Sequence, residues 1–429
     1  MRVDPTFLRA PLTAAVCVAA LCLPAASAIA ADRDRLFFHA ETLSGEVLAS
    51  QGADLPFNPA SLIKVGTTLW ALETLGSEAR YETVFGVEGE IDGTGERAVS
   101  SLVVLGGGDP DFQPENLFMV ARRLNDLGIT RVNGPLRIEG RFWIGWENGH
   151  ENAVVDETKR AERMGRRMRM MLDPSRWDRS TRAAWTALCE RRGWPTSRPP
   201  KIVVVGSVEA GAARNWTTLV VHRSNPLHVL LRRFNVYSNN DIIRIAEGLG
   251  GTSGLQSFLE KRLGEPTPII ELATASGERR NRLTARTGVR LLRAFLETAA
   301  DTGLAPSDLL PVTGCDPGST DRKFPALARG SRAGTVALKT GTLIETDGGV
   351  AVLGGIYTTL EREQVLFCVA ATETGRNELH WRSLQQSWLM ELMVSSGGAV
   401  QRPCGEELPF SDTYAEIEHL EPAGKDIGS

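Results

Sequence analysis

Strand-like runs near the two ends of this chain are separated by a long stretch of different texture, and that order constrains the fold more than any single motif. Near the N-terminus, "RLFFHAETLSGEVLASQG" reads as two short strands joined by a Ser-Gly turn. A helix starting near Ser61 follows, with Leu62, Val65, Leu69 and Leu72 at helical spacing. Asn58 suits its N-cap and Pro59 its first position. From about Tyr81 to Val221, segments such as "ETVFGVEGEI", "AVSSLVVLG", "GPLRIEGRFWIG" and "KIVVVGSV" read as strands, with one helix near "ENLFMVARRLNDLGI". Helices dominate from about His222. The strands "TVALKTG", "GGVAVLGGIYT" and "QVLFCVAATE" come next, and "HWRSLQQSWLMELMVSS" closes the pattern as a helix. Strand pair, helix, long insertion, helices, sheet, helix describes an α/β domain interrupted by a second domain. The length of 429 residues agrees, since it exceeds what one core of ordinary size organises.

Charge and composition exclude several classes of function. Lys+Arg number 48 and Asp+Glu 52, a net charge of -4, which argues against a nucleic-acid binder needing a basic face. The first thirty residues combine Arg2 and Arg9, the apolar run "PLTAAVCVAALCL" and the small residues "ASAIAA", the three-part pattern of a secretory signal peptide. A retained anchor is the alternative. The expectation is export, and in a Gram-negative host the periplasm. Cys17 and Cys22 leave with that segment. Cys189, Cys315, Cys368 and Cys404 form no CxxC pair, so their pairing is open, although Cys368 in "VLFCVAA" reads as a buried thiol. The six histidines lack ligand spacing and no phosphate loop is present, so neither a metal nor a cofactor is expected. "VLGGGDPD" reads as a turn.

"DETKRAERMGRRMRMMLD" is rich in arginine and methionine. Met164, Met168 and Met171 fall at spacings of four and three, which reads as a core stripe with arginines on the solvated side. The second reading is a basic patch that meets anionic envelope polymers. After Pro403 the chain turns acidic and polar, which suggests a loosely attached tail.

Three short motifs carry the chemistry: Ser61-x-x-Lys64, Ser238-Asn239-Asn240 and Lys339-Thr340-Gly341-Thr342. Each alone is weak, because a helix cap or a surface turn explains it. Lysine, however, is scarce in this chain and arginine supplies most of the positive charge, yet lysine stands at 64 and 339. Arginine stays protonated, whereas a buried lysine amine can be driven neutral and accept a proton from a hydroxyl. Residues i and i+3 share a helix face, so the Ser61 hydroxyl and the Lys64 amine can meet. A helix start also offers free N–H groups to a developing alkoxide.

"PASLIKV", "YSNN" and "LKTGTL" resemble the three active-site motifs of the penicillin-recognising serine enzymes. The gap between Ser61 and Ser238 resembles the class C low-molecular-mass penicillin-binding proteins, the D-alanyl-D-alanine carboxypeptidase/endopeptidase family of the penicillin-binding protein 4-like kind. "SGEVL", "LGGGDP", "GITRVNGPLRIEGRFW", "HRSNPLHVLLRRFNVYSNN", "LLPVTG" and "GGVAVLGGIYT" are similar to that family too, while the likeness fades between about Glu151 and Arg214. The resemblance implies a penicillin-binding/β-lactamase-like serine transpeptidase fold, an antiparallel sheet flanked by helices and interrupted by a smaller mixed domain. The expected division is a signal peptide at 1–30, a discontinuous catalytic domain at 31–84 and 222–400, an insertion domain at 85–221 and a polar tail at 401–429.

By the same resemblance, Ser61 is the nucleophile and Lys64 its base. Ser238 relays a proton to the leaving amine, Asn240 holds the substrate backbone, and Lys339 raises the positive potential near the substrate carboxylate. Thr340, Gly341 and Thr342 line the substrate site, and the N–H groups of Ser61 and Thr342 form the oxyanion hole. The implied partners are peptidoglycan stem peptides, with β-lactam antibiotics as covalent inhibitors. This chain departs from the family after the second motif: "TASGERRNRLTA" has Thr274 and Glu278 where an aspartate and a leucine are common, which puts that loop's support of the cleft in question. A serine β-lactamase or esterase on the same scaffold, or a non-catalytic envelope-binding protein with a degenerate cleft, are the alternatives.

Overall fold

The computed structural model describes residues 32–88, 97–148, 156–211, 215–264 and 270–420; the signal peptide read at residues 1–30 lies outside them. Strands β1 (Leu36–Thr42) and β2 (Val47–Gln51) form the first hairpin, and a 3₁₀ turn at Ala60–Ile63 runs directly into helix α1 (Lys64–Leu75). The chain then leaves this layer. It builds β3 (Glu82–Glu88), β4 (Arg97–Val99), β5 (Ser101–Gly107), α2 (Pro114–Asp126), β6 (Ile129–Val132) and β7 (Leu136–Arg141). Helices α3 (Glu157–Met171) and α4 (Arg179–Arg192) come next, then β8 (Val203–Val204), β9 (Val208–Ala210) and β10 (Trp216–Arg223). The return supplies α5 (Leu227–Val236), α6 (Ile243–Leu249), α7 (Gly251–Leu263), α8 (Ala285–Asp301) and the short α9 (Ser319–Lys323). Strands β11 (Val336–Leu343), β12 (Val350–Thr358) and β13 (Gln364–Thr372), helix α10 (Glu378–Ser395) and β14 (Glu416–His419) complete the chain.

The ends of the chain meet in one antiparallel sheet, ordered β11-β12-β13-β1-β2. Strands β12 and β13 are buried along almost their whole length, as their continuous apolar sequences require, because helices cover both faces. On one face Leu62, Leu69, Phe234, Leu292 and Phe295 pack against Ile356 and Cys368. On the other, Trp381 and Leu389 of α10 pack with Tyr357 and Phe367. The stretch between Tyr81 and Arg223 supplies five strands of a six-stranded mixed sheet, β14-β10-β3-β5-β7-β9, whose edge strand β14 comes from the C-terminal segment, beside a small parallel sheet, β4-β6-β8. Its core joins Phe85, Leu102 and Val104 with Leu117 and with Met164 and Met168, so the methionine stripe of α3 does face inward.

The "VLGGGDPD" turn has a further part to play, because it docks the two layers. Asp109 caps the turn by accepting from the Asp111 N–H (2.9 Å), and Asp111 in turn takes the Arg233 Nε of α5 at 2.6 Å. Nearby, one Asp241 carboxylate oxygen accepts the N–H groups of Glu147 (2.6 Å) and Asn148 (3.0 Å), tying the second layer to the residue next to Asn240.

Two expectations need correction. The segment after Pro403 is not loosely attached over residues 404–420. Cys404 is disulfide-bonded to Cys315, Asp412 is buried between Arg191 and Arg192, and β14 adds to the edge of β10. Asp412 faces Arg191 and Arg192, Glu418 faces Arg223 and Glu416 faces Arg80, pairings that composition alone does not reveal. The helix start near Ser61 is also not a single α-helix. Ala60 takes a left-handed φ of 46°, and the tighter 3₁₀ turn carries Ser61 before α-helical geometry begins at Lys64. Asn58 accepts from the Ala60 N–H at 3.0 Å, while its amide nitrogen donates to the Arg279 carbonyl and to Asp347. It fastens the turn to two neighbouring loops, a wider job than capping.

Candidate active site

The 3₁₀ turn has a direct chemical consequence. Side chains at i and i+3 eclipse in such a turn, and Lys64 Nζ accordingly lies 2.7 Å from Ser61 Oγ. The amine is fully buried, while the serine is half-exposed at the cleft. Two more acceptors hold Nζ: Asn240 Oδ1 at 2.7 Å and the Ser276 carbonyl at 2.7 Å. A neutral amine has two N–H donors and one lone pair. With the two carbonyl-type oxygens taking both donors, the lone pair is left directed at the Ser61 hydroxyl. Burial pushes the Lys64 amine down to about 7, while the Glu278 carboxylate pulls it the other way.

Strand β11 closes the opposite wall. Lys339 is buried, and its Nζ donates to Ser238 Oγ (2.8 Å) and the Thr340 carbonyl (2.9 Å). Its pKa is held well below the usual lysine range, first by burial and then by the positive charges of Lys64, Lys323 and Arg382. Ser238 has a left-handed φ of 52°, a strained backbone that presents its hydroxyl to Lys339 at the end of α5. The following Asn239 accepts from the Asp241 N–H at 2.7 Å and so starts the turn that aims Asn240 at Lys64. Gly341 is a steric requirement: a Cβ there would lie 2.9 Å from the Ser61 nitrogen and 2.7 Å from the Pro59 carbonyl oxygen. The strand therefore crosses directly beside the start of the serine turn.

All three motifs converge: Ser61, Lys64 and Asn240 form one hydrogen-bonded group and Ser238 with Lys339 a second, near enough that the Lys64 charge acts on Lys339, with Thr340, Gly341 and Thr342 along the edge. Thr342 Oγ1 is engaged from behind. It receives hydrogen bonds from Arg382 (2.6 Å) and Lys323 (3.1 Å) and donates to Glu378 (3.0 Å). Arg382 is fully buried and also donates to the carbonyls of Gly341 and Val352. It braces β11 against α10.

Support for the cleft also comes from the loop whose part the substitutions at Thr274 and Glu278 put in question. The "TASGERR" loop does reach the cleft. Thr274 Oγ1 donates to the Glu278 carbonyl (2.8 Å) and accepts from the Gly277 N–H (3.1 Å), forming a tight turn that presents the Ser276 carbonyl to Lys64. Asn281 Oδ1 holds the other side of the turn through the N–H groups of Ala273 and Thr274. A Cβ on Gly277 would stand 2.0 Å from the Ala60 carbonyl oxygen, at a φ of +95°. The Ser-Gly pair was the one visible signal for this turn. Nothing in the spacing of Lys323, Glu378 and Arg382 marks them as neighbours of Thr342.

A helix-covered antiparallel sheet with a serine–lysine pair beside one edge strand, joined to a second mixed domain, is the architecture of the penicillin-binding serine hydrolases. The comparisons narrow this class to one family. The D-Ala-D-Ala carboxypeptidase 3 (S13) family matches residues 33–159 and 201–384, and the chain belongs to that peptidase family. Among curated relatives, carboxypeptidase DacB of Mycolicibacterium smegmatis is 27% identical over 370 residues, covering 77% of this chain and 75% of the relative. Among solved structures, a penicillin G-acylated predatory endopeptidase of Bdellovibrio bacteriovorus, in complex with an immunity protein, matches with a TM-score of 0.71 at 21% identity. That match covers 90% of this chain and 100% of the other. Penicillin-binding protein 4 of Haemophilus influenzae matches with a TM-score of 0.61 at 19% identity, over 85% and 99% of the two chains. At these identities the structural matches speak for the fold.

Proposed function

We propose that this chain is an exported serine DD-peptidase that hydrolyses D-Ala-D-Ala termini or D-Ala cross-links of peptidoglycan through an acyl-enzyme on Ser61. The observation that carries the reading is the seating of Lys64 Nζ between Ser61, Asn240 and the Ser276 carbonyl, all at 2.7 Å. Ser61 Oγ attacks the carbonyl carbon of the penultimate D-Ala as its proton passes to the neutral Lys64 amine. The oxygen of the tetrahedral intermediate is received by the backbone N–H groups of Ser61 and Thr342. The C–N bond breaks as the departing amine takes the hydroxyl proton of Ser238, whose oxygen Lys339 holds, and Ser238 recovers a proton from Lys64, which returns to its neutral form. Water then attacks the ester, its proton returns through Lys64, and the free acid leaves with Ser61 restored.

Asn240 and Thr340 would bind the substrate backbone and terminal carboxylate, and the positive charge of Lys323 and Arg382 behind Thr342 favours a negatively charged end. We place the catalytic domain at residues 31–84 and 222–400, with 85–221 inserted. The export pattern at residues 1–30 supports action in the periplasm or its equivalent. β-Lactams would acylate the same serine, as the relative from Bdellovibrio is acylated by penicillin G.

Fluorescent penicillin tests this reading on the processed chain beside a Ser61→Ala variant. Covalent label that depends on Ser61 supports it, and absence of such label overturns it. Rapid labelling with equally rapid loss would favour a β-lactamase. A muropeptide digest scored for free D-alanine against cleaved cross-links separates the two peptidase activities.

A further inference from the structure

Residues 160–200 are the one internal stretch that the family match passes over, and their charge is unlike the rest of the chain. They contain eleven arginines and no lysine, against two aspartates and two glutamates, a net charge of +7 in a protein whose total is -4. The segment folds as a helical hairpin, α3 and α4 joined through a 3₁₀ turn at Pro174–Arg176. Its apolar stripe is already used. Met164 and Met168 pack on the second sheet, and Trp177, Trp185 and Leu188 pack on Phe118 of α2. The outward face is therefore free of any duty to the core.

Some of the arginines have internal work. Arg163 and Arg167 hold Glu147, and Arg191 and Arg192 hold Asp412. Arg160 is buried in the first turn of α3 and Arg198 lies beyond α4, while the remaining five, Arg166, Arg169, Arg176, Arg179 and Arg182, fall where α3 ends and α4 begins. Arg166 is 62% exposed with only the flexible i,i−4 partner Glu162, and Arg176 is 52% exposed beside Asp173. Arg169, Arg179 and Arg182 have no carboxylate within ion-pair distance among the described residues, and Arg179 and Arg182 are exposed. Self-repulsion among such charges destabilises the hairpin unless something anionic meets it. Arginine forks match phosphate oxygens two at a time.

We propose that this corner docks the enzyme on an anionic phospholipid surface. The exposed arginines are spread over the end of α3, the turn at Pro174–Arg176 and the start of α4, so that an extended charged surface can meet them together. Met170, 51% exposed among them, adds an apolar side chain of the kind that enters a headgroup layer. Nucleic acid is a poorer fit, since the outward face offers no free aromatic for stacking; Trp194 is already covered by Arg122. The proposal is independent of the catalytic reading, because it uses none of the cleft residues.

The test is co-sedimentation of the processed chain, lacking the N-terminal apolar segment, with phosphatidylglycerol-containing vesicles and with pure phosphatidylcholine vesicles. The expected result is binding only to the anionic vesicles, lost as salt is raised. Replacing Arg166, Arg179 and Arg182 together by Gln lowers partitioning by roughly fivefold per arginine, on the order of a hundredfold for the triple variant. Replacing Arg329, Arg332 and Arg376 by Gln, the same charge removed elsewhere, leaves it nearly unchanged. Unchanged penicillin labelling and thermal unfolding show that both variants are folded. Equal binding to both vesicle types, no binding to either, or equal loss in the two triple variants overturns the proposal. Retention on a soluble polyphosphate column without vesicle binding also overturns it, in favour of an anionic polymer.

Discussion

The Ser276 carbonyl oxygen lies 2.7 Å from Lys64 Nζ, so a loop outside the three motifs supplies one of the three atoms that seat the base. Gly277 makes that approach possible. Its φ of +95° and its contact with Ala60 leave no space for a side chain, since a Cβ would fall 2.0 Å from a backbone oxygen. Gly277→Ala must push the turn away from the serine segment, and the Ser276 carbonyl with it. We expect acylation by a β-lactam to fall by about 100-fold or more, the scale of effect that a displacement of ~1 Å has on a positioned catalytic group. Stopped-flow acylation rates measure the effect, and a rate within a factor of three of the parent removes the loop from the site.

The Lys64 amine, near 7 in the folded protein, sets the pH profile. The base form accumulates as pH rises through that value, so the acylation rate should climb from pH 6 to 8 and level off above. Stability follows the same direction. The unfolded lysine binds its proton up to about 10.4, so between pH 7 and that value the unfolded state holds more protons than the native one. This group's contribution to stability therefore rises with pH across that window. Lys64→Arg keeps a cation that does not deprotonate, and acylation should drop by at least about 1,000-fold at every pH. An Arg variant that regains activity in alkali would show that a different group is the base.

Glu278 stands where leucine is common in the family and couples to the same amine. Its carboxylate accepts from Ser276 Oγ at 3.3 Å and favours the protonated form of Lys64. Glu278→Gln removes the charge and retains an acceptor, so the Lys64 amine should fall further. The acid limb of the acylation profile then moves to lower pH, by about half a unit to one unit for a single partly screened charge. The comparison is one of pH profiles between parent and variant. A shift toward higher pH, or none, would sink the assignment.

What the sequence revealed and what it concealed divide along a physical line. The paired apolar strands and the amphipathic helices are periodic signals, and they emerged as expected in β12, β13 and α1. Ser61, Lys64, Ser238, Asn240 and Lys339 were legible because each lies in a short motif whose order along the chain is itself information. The residues that brace the motifs were not. Arg382, Glu378 and Lys323 meet Thr342 only because α10 and α9 pack behind β11, and no local pattern encodes that meeting. The 3₁₀ turn was hidden for a different reason: Asn58 and Pro59 read equally well as an α-helix start, and the tertiary pull of Asp347 and Arg279 on Asn58 decides otherwise. The C-terminal strap was misread because its acidic composition looks like solvated chain until Arg191 and Arg192 are placed opposite Asp412.

That strap gives the last prediction. From the disulfide at Cys404 it crosses the molecule: the Pro409 carbonyl accepts from Arg233, the Phe410 carbonyl from Asn225 and the Tyr414 carbonyl from Arg80, before β14 joins β10. It therefore spans from the loop before the Lys339 strand to the second sheet. The Cys315–Cys404 bond closes a separation of 89 residues, for which chain entropy predicts about 4.6 kcal/mol of stabilisation. Cys315→Ser with Cys404→Ser should lower the unfolding midpoint by several degrees, and reduction of the parent by dithiothreitol should do the same. Cys189 and Cys368 are buried and unpaired, so the double variant should show no further response to reductant. Calorimetry with and without dithiothreitol checks both statements. An unfolding midpoint indifferent to the loss of both cysteines would mean that the hydrogen bonds of the strap suffice to hold it.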